Sequence, residues 1–230
     1  MNKKTSQSGF TLIELIAVMV ILGILAAVIV PRITTLTSGA YESNVRNMYG
    51  LIKNEVTADA TKAAMSGNFL ETYQIYDNAN ENHYLQKWVT DYDPSAWSQF
   101  RAAGNYVNTG SGGAGTNDAL LFMYHPHGRP SGAITWTGAA GGTEVTPAGG
   151  VESDNKEDLY WIYYAPRTSL RGVDVGRTND GFVMAAWKST GTNDWEFSGS
   201  IDEDGLCVAG GSDEECLEDL TFILNPAADS

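Results

Sequence analysis

The apolar residues of this chain follow three patterns, one after another. Residues 10–30 form an apolar run that carries a single charge, Glu14. From Ile33 to Val56 apolar residues recur every three to five positions, which is typical of an amphipathic helix. From residue 119 onward, short runs rich in aromatic and β-branched residues are separated by Gly, Pro, Asn and Asp. This order predicts one long helix followed by an antiparallel sheet.

The apolar run has the length of a membrane span. Its 21 residues would rise roughly 1.5 Å each, enough to cross a hydrocarbon core about 30 Å thick. Lys3 and Lys4 precede it, which predicts a cytoplasmic N-terminal side. Two other interpretations are a secretory signal peptide, for which Ala26 and Ala27 form a poor cleavage site, and an ordinary membrane anchor. Glu14 argues against an ordinary anchor, since carboxylates within membrane segments are usually functional.

The helix is expected to continue beyond the run. Pro31 closes the run, but a helix can pass a proline with a kink. The glycine at 67 suggests an end near Met65, so the whole helix from Phe10 would be roughly 80 Å long. Its second half carries an apolar stripe that we expect to pack on the sheet: Ile33, Leu36, Tyr41, Val45, Met48, Ile52 and Val56.

The segment Gly9–Arg32, GFTLIELIAVMVILGILAAVIVPR, resembles the N-terminus of type IV pilins and of type II secretion pseudopilins. The resemblance is strongest over residues 1 to 60. It implies that a prepilin peptidase cuts after Gly9 and methylates the new amino terminus, Phe10. It also implies that Glu14 pairs with the terminal amine of a neighbouring subunit during assembly, and that Pro31 belongs to the assembly helix. The nine-residue leader and the phenylalanine resemble the type IVa group.

The resemblance also implies an organisation for the whole chain. Residues 1–9 would be the leader, residues 10–30 the membrane and filament-core helix, and residues 31–66 the amphipathic half. Residues 67–230 would form the head, giving the α+β type IV pilin fold with a long helix on an antiparallel sheet.

Within the head, local signals predict further elements. Asp93 to Gly104 reads as a short helix, with Asp93 as N-cap and Pro94 as its first residue. Residues 110–117 and 138–150 are glycine-rich and are expected to be loops, and residues 188–194 a hairpin turn. The predicted strands are Ala119–Tyr124, Ala133–Thr137, Leu159–Ala165, Gly181–Lys188, Trp195–Ile201 and Asp219–Leu224.

Charge narrows the possible partners. The formal net charge is −14, and without Lys3 and Lys4 the remaining residues carry 12 basic against 28 acidic side chains, a balance of −16. No basic residue follows Lys188. This balance argues against direct nucleic-acid binding.

The two cysteines, Cys207 and Cys216, are best explained as a disulfide if the head is exported. Such a bridge would stabilise the head by about 2–3 kcal/mol. Two free thiols and a metal site are the alternatives, although no third sulfur or histidine lies nearby in sequence. Pilins commonly carry a C-terminal disulfide at this place.

Few residues suggest chemistry in the head. Asp202 and Asp204 lie in a fragment similar to a calcium loop, and Asp213 could add a ligand, although the spacing does not fit an EF-hand. The alternative is a solvated acidic surface. His125 and His127 could form a metal pair, but the intervening proline favours a surface turn. No nucleophile elbow is present in the sequence. We therefore expect neither an enzyme nor a resident cofactor.

The sequence thus predicts a structural subunit of a type IV pilus. The alternatives are a type II secretion pseudopilin and a minor pilin. The expected partners are further copies of the chain, the prepilin peptidase, the assembly machinery of the inner membrane and, before assembly, membrane lipid. The expected location is the bacterial inner membrane first and the extracellular pilus afterwards.

Overall fold

The computed structural model describes residues 10–67, 73, 82–102, 119–128, 134–139, 142–147, 159–167, 181–189, 196–197, 200–201, 207–209 and 214–224. The chain divides into two compact units, Met1–Glu42 and Ser43–Ser230. In chain order the elements are α1 Leu12–Met65, α2 His83–Trp88, β1 Trp97–Ala102, β2 Ala119–Tyr124, β3 Ile134–Ala139, β4 Gly142–Pro147, β5 Tyr160–Arg167, β6 Gly181–Ser189, β7 Glu196–Phe197, β8 Ser200–Ile201, β9 Cys207–Val208, β10 Glu214–Cys216, a 3-10 turn Glu218–Leu220 and β11 Phe222–Leu224.

The long helix α1 is confirmed. It runs for 54 residues and passes through Pro31, which cannot donate a backbone hydrogen bond to the preceding turn. It ends where the sequence predicts, because Gly67 adopts a φ of 86° that side-chain-bearing residues rarely accept. The amide of Ser66 still donates to the carbonyl of Lys62 at 3.0 Å, and that of Gly67 turns back to Ala64 at 3.1 Å.

The predicted antiparallel sheet is also confirmed. The main sheet has the order β1-β2-β5-β6, and the second side of β6 pairs with both β10 and β11. Every pairing in it is antiparallel. Two smaller sheets accompany it among the described residues: β3-β4-β7 and β8-β9. The fold is therefore α+β, with a long N-terminal helix and an antiparallel sheet.

Both faces of the main sheet are buried, since β2, β5 and β6 are buried at successive positions. On one side, called here the helix face, the ring of Trp88 from α2 lies 6.2 Å from Phe122 and 5.7 Å from Tyr164. The opposite side, called here the far face, holds a second core. Because opposed residues in antiparallel strands share a face, the register groups its members: Leu121, Met123, Leu159, Trp161, Tyr163, Ala165, Val183, Ala185 and Trp187.

The apolar stripe of α1 is fully buried from Val45 onward, and Tyr41 before it is half-buried. The hydroxyl of Tyr49 donates to the carbonyl oxygen of Met184 in β6 at 3.2 Å. Ile33 and Leu36, predicted to belong to the packed stripe, are instead 52% and 72% exposed. The residues of α1 buried in the head are Val45, Met48, Tyr49, Ile52, Val56 and Ala60.

The helix predicted from Asp93 to Gly104 is wrong. Asp93 does cap a turn, since its carboxylate accepts from the amide and hydroxyl of Ser95 at 2.9 and 2.6 Å. After that turn the chain becomes β1, whose six residues all pair with β2. Trp97 and Gln99 are buried there. Pairing with a neighbouring strand therefore outweighed the local helix signal.

The loop predicted over residues 138–150 is also wrong in its larger part. Residues 142–147 form β4, which pairs along its whole length with β3. Threonine and valine in this segment favour a strand despite the surrounding glycines. The predicted hairpin at residues 188–194 does not join β6 to β7, because β7 pairs with β4. The strand predicted at 195–201 is two short strands in different sheets. The loop at 110–117 lies outside the described residues.

Four strand predictions are confirmed in position. The strand at Ala119–Tyr124 has the predicted bounds, and those beginning near 133, 159 and 181 differ by one or two residues at either end. The last, predicted at 219–224, is shorter because Glu218–Leu220 form a 3-10 turn. The elements α2, β1, β4, β9 and β10 were not predicted from the sequence.

Candidate functional site

The first half of α1 presents an uncovered apolar surface. Every Leu, Ile, Val, Met and Phe from Phe10 to Val30 is between 49% and 89% exposed. Among the described residues α1 is the one helix long and apolar enough to cross a membrane, and none of its most apolar window is buried. Water solvates such a surface poorly, so lipid or other apolar helices must cover it. Exposed Ile33 and Leu36 extend the surface beyond Pro31.

A reciprocal hydrogen-bonded cap begins this helix. The Oε2 atom of Glu14 accepts from the amide of Thr11 at 2.9 Å and from its hydroxyl at 2.8 Å. In return the amide of Glu14 donates to the hydroxyl oxygen of Thr11 at 3.4 Å. The spacing Thr-x-x-Glu is that of a capping box, a local signal that could have been recognised from the sequence. The cap holds the carboxylate at the N-terminal end of α1, against Thr11.

Gly9 and Phe10 are the positions of this segment to which the resemblance assigns processing. Phe10 is 89% exposed, and Gly9 lies outside the described residues. The cleavage and methylation assigned to them therefore stay predictions, as do the segment boundaries at residues 9, 30 and 66.

Comparison with known families identifies this segment. Residues 4–30 match the family model described as the prokaryotic N-terminal methylation motif. The match includes Gly9, Phe10 and Glu14 and ends one residue before Pro31. No curated protein and no solved structure matches the chain.

The motif is characteristic of type IV pilins and pseudopilins, and residues 4–30 of this chain carry it. Proteins with this motif are structural subunits, and the motif implies processing by a prepilin peptidase. Together with the apolar helix it indicates a membrane-anchored precursor.

A second site lies at the C-terminal edge of the main sheet. The predicted disulfide between Cys207 and Cys216 is formed, with the two Cα atoms 6.0 Å apart. Three residues after Cys216, the carboxylate of Asp219 forms a bidentate ion pair with the guanidinium of Arg46 in α1. The hydrogen bonds from Arg46 hold the pKa of Asp219 below its ordinary value. The Lys53 ammonium lies 3.4 Å from the centre of the Phe222 ring. No sequence signal predicted the contacts of Arg46 with Asp219 and of Lys53 with Phe222, because the partners are so distant along the chain.

A third polar cluster joins α1 to α2. The Asp59 carboxylate accepts from the ammonium of Lys87 at 2.6 Å and from the indole nitrogen of Trp88 at 2.9 Å. The ammonium of Lys62 is 3.5 Å away. Burial favours a higher pKa for Asp59, but the bonds from Lys87 and Trp88 and the two lysine charges outweigh it and lower the pKa.

Because the pKa values of Asp59 and Asp219 are lowered, we expect the head to lose stability in acid. A folded-state pKa below the ordinary value of 3.8 means that the unfolded chain takes up the proton first. The contributions of Asp59 and Asp219 are therefore complete above about pH 5 and decline as pH falls through about 4 and below. We expect the unfolding temperature of wild type to exceed that of Asp59→Asn at neutral pH, and the gap to narrow near pH 3. An equal gap at both pH values would contradict this assignment.

The two candidate metal sites considered from the sequence have different outcomes. His125 and His127 do not converge: His125 is buried, with its Nε2 atom 2.8 Å from the hydroxyl of Ser98, whereas His127 is exposed. Within the part of the chain that the structure describes, no group of three metal-binding side chains comes together. The weak calcium candidates Asp202, Asp204 and Asp213 lie outside the described residues.

Proposed function

We propose that the chain is the structural subunit of a type IV pilus. In this proposal it is cleaved after Gly9, methylated at Phe10, and polymerised with further copies into an extracellular filament for adhesion, motility or DNA uptake. The observation that carries the proposal is an N-terminal methylation motif at the start of a helix whose apolar surface is uncovered. The chain acts through its surface and its assembly, and has no enzymatic role.

In this mechanism, assembly replaces the lipid around the apolar half of α1 with the helices of neighbouring subunits. Before assembly the apolar half of α1 is covered by lipid, and in a filament it is covered by the same segment of other subunits. Since both environments are apolar, polar contacts must select the docked arrangement. Glu14 can supply one: both hydrogen bonds from Thr11 end on Oε2, which leaves Oε1 to accept from the Phe10 amine of a neighbour. Each charge would offset the desolvation of the other.

A pseudopilin of a type II secretion system is the second candidate, because the motif occurs in both groups. A minor pilin is a third. The head favours a pilin, since major pseudopilins are usually shorter than this 230-residue chain. A major pilin would form an abundant filament on the cell surface, whereas a pseudopilin would not.

The test is intact mass spectrometry of filaments sheared from cells that express the chain. We expect a chain that begins at Phe10, heavier by one methyl group and lighter by the two hydrogens lost in the disulfide. The Gly9→Leu variant is the matched control and should keep its leader, remain in the membrane fraction and yield no filaments. A processed chain found only in membranes would favour the pseudopilin or the minor pilin, and a processed Gly9→Leu chain would refute the cleavage site.

A further inference from the structure

The edge beside β6 is formed by two separate strands, β10 and β11. Cys216 of β10 lies opposite Trp187, and Phe222 of β11 lies opposite Met184. Two residues of β6 separate these pairs, whereas five residues, 217–221, separate them on the edge. We call residues 217–221 the excursion. Its first amide, that of Leu217, still donates to the carbonyl of Ala186 at 2.9 Å, after which the chain leaves the sheet.

The excursion connects the sheet edge to α1. It is a tight turn, in which the amides of Leu220 and Thr221 donate back to Leu217 and Glu218 at 2.8 and 3.2 Å. Asp219, in the middle of the turn, holds the guanidinium of Arg46. Directly after the turn, the Phe222 ring lies under the Lys53 ammonium. Arg46 and Lys53 are seven residues apart, two turns along one side of α1.

The disulfide fixes the other end of the excursion. Cys216 is the last residue of β10, which has only three residues paired with β6. Its partner Cys207 lies in β9, where the indole nitrogen of Trp187 donates to the carbonyl of Val208 at 3.3 Å. A three-residue edge strand is weak by itself, and the bridge adds a covalent link from β10 to β9.

We propose that the Cys207–Cys216 disulfide and the excursion form one redox-sensitive fastener for α1. With the bridge closed, β10 stays on β6 and the excursion presents Asp219 to Arg46. With the bridge open, β10 and the excursion separate from β6. Arg46 then loses its ion pair with the carboxylate of Asp219, and residues 43–49 of α1 loosen. The fastener belongs to the folded head and does not depend on the proposed filament function.

The local structure limits the effect to this part of α1. Val45 is the first residue of α1 buried in the head, so Arg46 acts in the first turns that pack. At the end of residues 43–49, the Tyr49 hydroxyl donates to the carbonyl of Met184 in β6, which stays paired with β5 when β10 leaves, so the loosening stops there. Asp59 with Lys87 and Trp88 holds the following turns. Opening the bridge should therefore free the beginning of the packed segment and leave its remainder in place.

Reduction of the bridge is a two-electron thiol–disulfide exchange. A dithiol such as dithiothreitol attacks one sulfur, the Cys207–Cys216 bond breaks, and the dithiol closes into its own cyclic disulfide. Its two protons end on the cysteine thiols. Both cysteines are half-buried and line an open depression with the carboxylates of Glu214, Glu215 and Glu218. These negative charges repel anionic reductants, so a dithiol without carboxylates is the suitable reagent.

Hydrogen exchange of the full chain in detergent tests the fastener. We expect reduction to accelerate amide exchange in residues 43–49 about threefold, with no change in β2, which is central in the sheet. Asp219→Ala should produce the same acceleration with the bridge intact, because it removes the same carboxylate. Reduction of that variant should add nothing further in residues 43–49. The matched control is Glu218→Ala, a neighbouring exposed carboxylate in the same turn, which should leave residues 43–49 unchanged.

Three outcomes would overturn the proposal. The first is that reduction of the wild-type chain accelerates amide exchange in β10 but leaves the exchange rates of residues 43–49 unchanged. The second is faster exchange in β2 as well, since that would mean general unfolding rather than local release. The third is an additive effect of reduction and Asp219→Ala in residues 43–49, which would show that the disulfide acts through other residues.

Discussion

Glu14→Gln is expected to abolish filament assembly while the helix cap stays in place. Glutamine can still accept from the amide and hydroxyl of Thr11, so the start of α1 should keep its capping box. What it loses is the negative charge, and an amine buried without that charge is strongly unfavourable. We expect the yield of sheared filaments to fall at least about 100-fold, because the loss recurs at every subunit contact.

Two further variants separate the charge from the cap. Thr11→Ala keeps the charge and removes the hydroxyl, and should reduce filament yield by no more than about fivefold. Glu14→Ala loses both and should resemble Glu14→Gln in yield. Leader removal should be normal in all three, as judged by the mass of the membrane-bound chain. Wild-type amounts of filament from Glu14→Gln would show that assembly does not use the charge, and the assigned role of Glu14 would be lost.

Trp161→Ala is expected to cause the largest loss of stability in the head. Trp161 is fully buried at the centre of the far face, opposite Met123 on one side and Trp187 on the other. Removing a buried tryptophan costs about 3–5 kcal/mol, since transfer energy is lost and a cavity remains. For a unit of this size we expect the unfolding temperature to fall by about 6–20 °C.

The measurement is thermal unfolding of the full chain in detergent, followed by near-ultraviolet circular dichroism. Leu51→Ala is the matched control: Leu51 lies on α1 but is 42% exposed, so its substitution should change the free energy of unfolding by no more than about 1 kcal/mol. A shift of less than about 2 °C for Trp161→Ala, similar to that of the control, would mean that the far face is not a packed core.

The sequence was informative where the signal is local or repeats with a regular period. The membrane-length run and the end of α1 at Gly67 depend on residues within a few positions of one another, and so does the capping box of Thr11 and Glu14. The strands at 119–124 and 181–189 have apolar runs bounded by turn residues. These features could be predicted, although the capping box was overlooked.

Other features depended on residues that the sequence does not bring together. Asp93 begins a turn that a helix would also use, and only pairing with β2 makes the following residues a strand. Ile33 and Leu36 continue the period of the α1 stripe, yet both are exposed, and the first stripe residue that is fully buried is Val45. Periodicity shows that a helix has an apolar side but not how far the packed surface extends along it.

The class of the N-terminus, the long helix and the antiparallel character of the head were all encoded locally, because hydrophobic period and motif spacing act over short distances along the chain. The side of the sheet that each core residue occupies, and the carboxylate that reaches Arg46, were settled by tertiary packing. Asp219 lies 173 residues from Arg46. The contact exists because β10 and β11 both pair with β6, which leaves the excursion between them to reach α1. The pairing of such distant strands is set by the packing of the whole head.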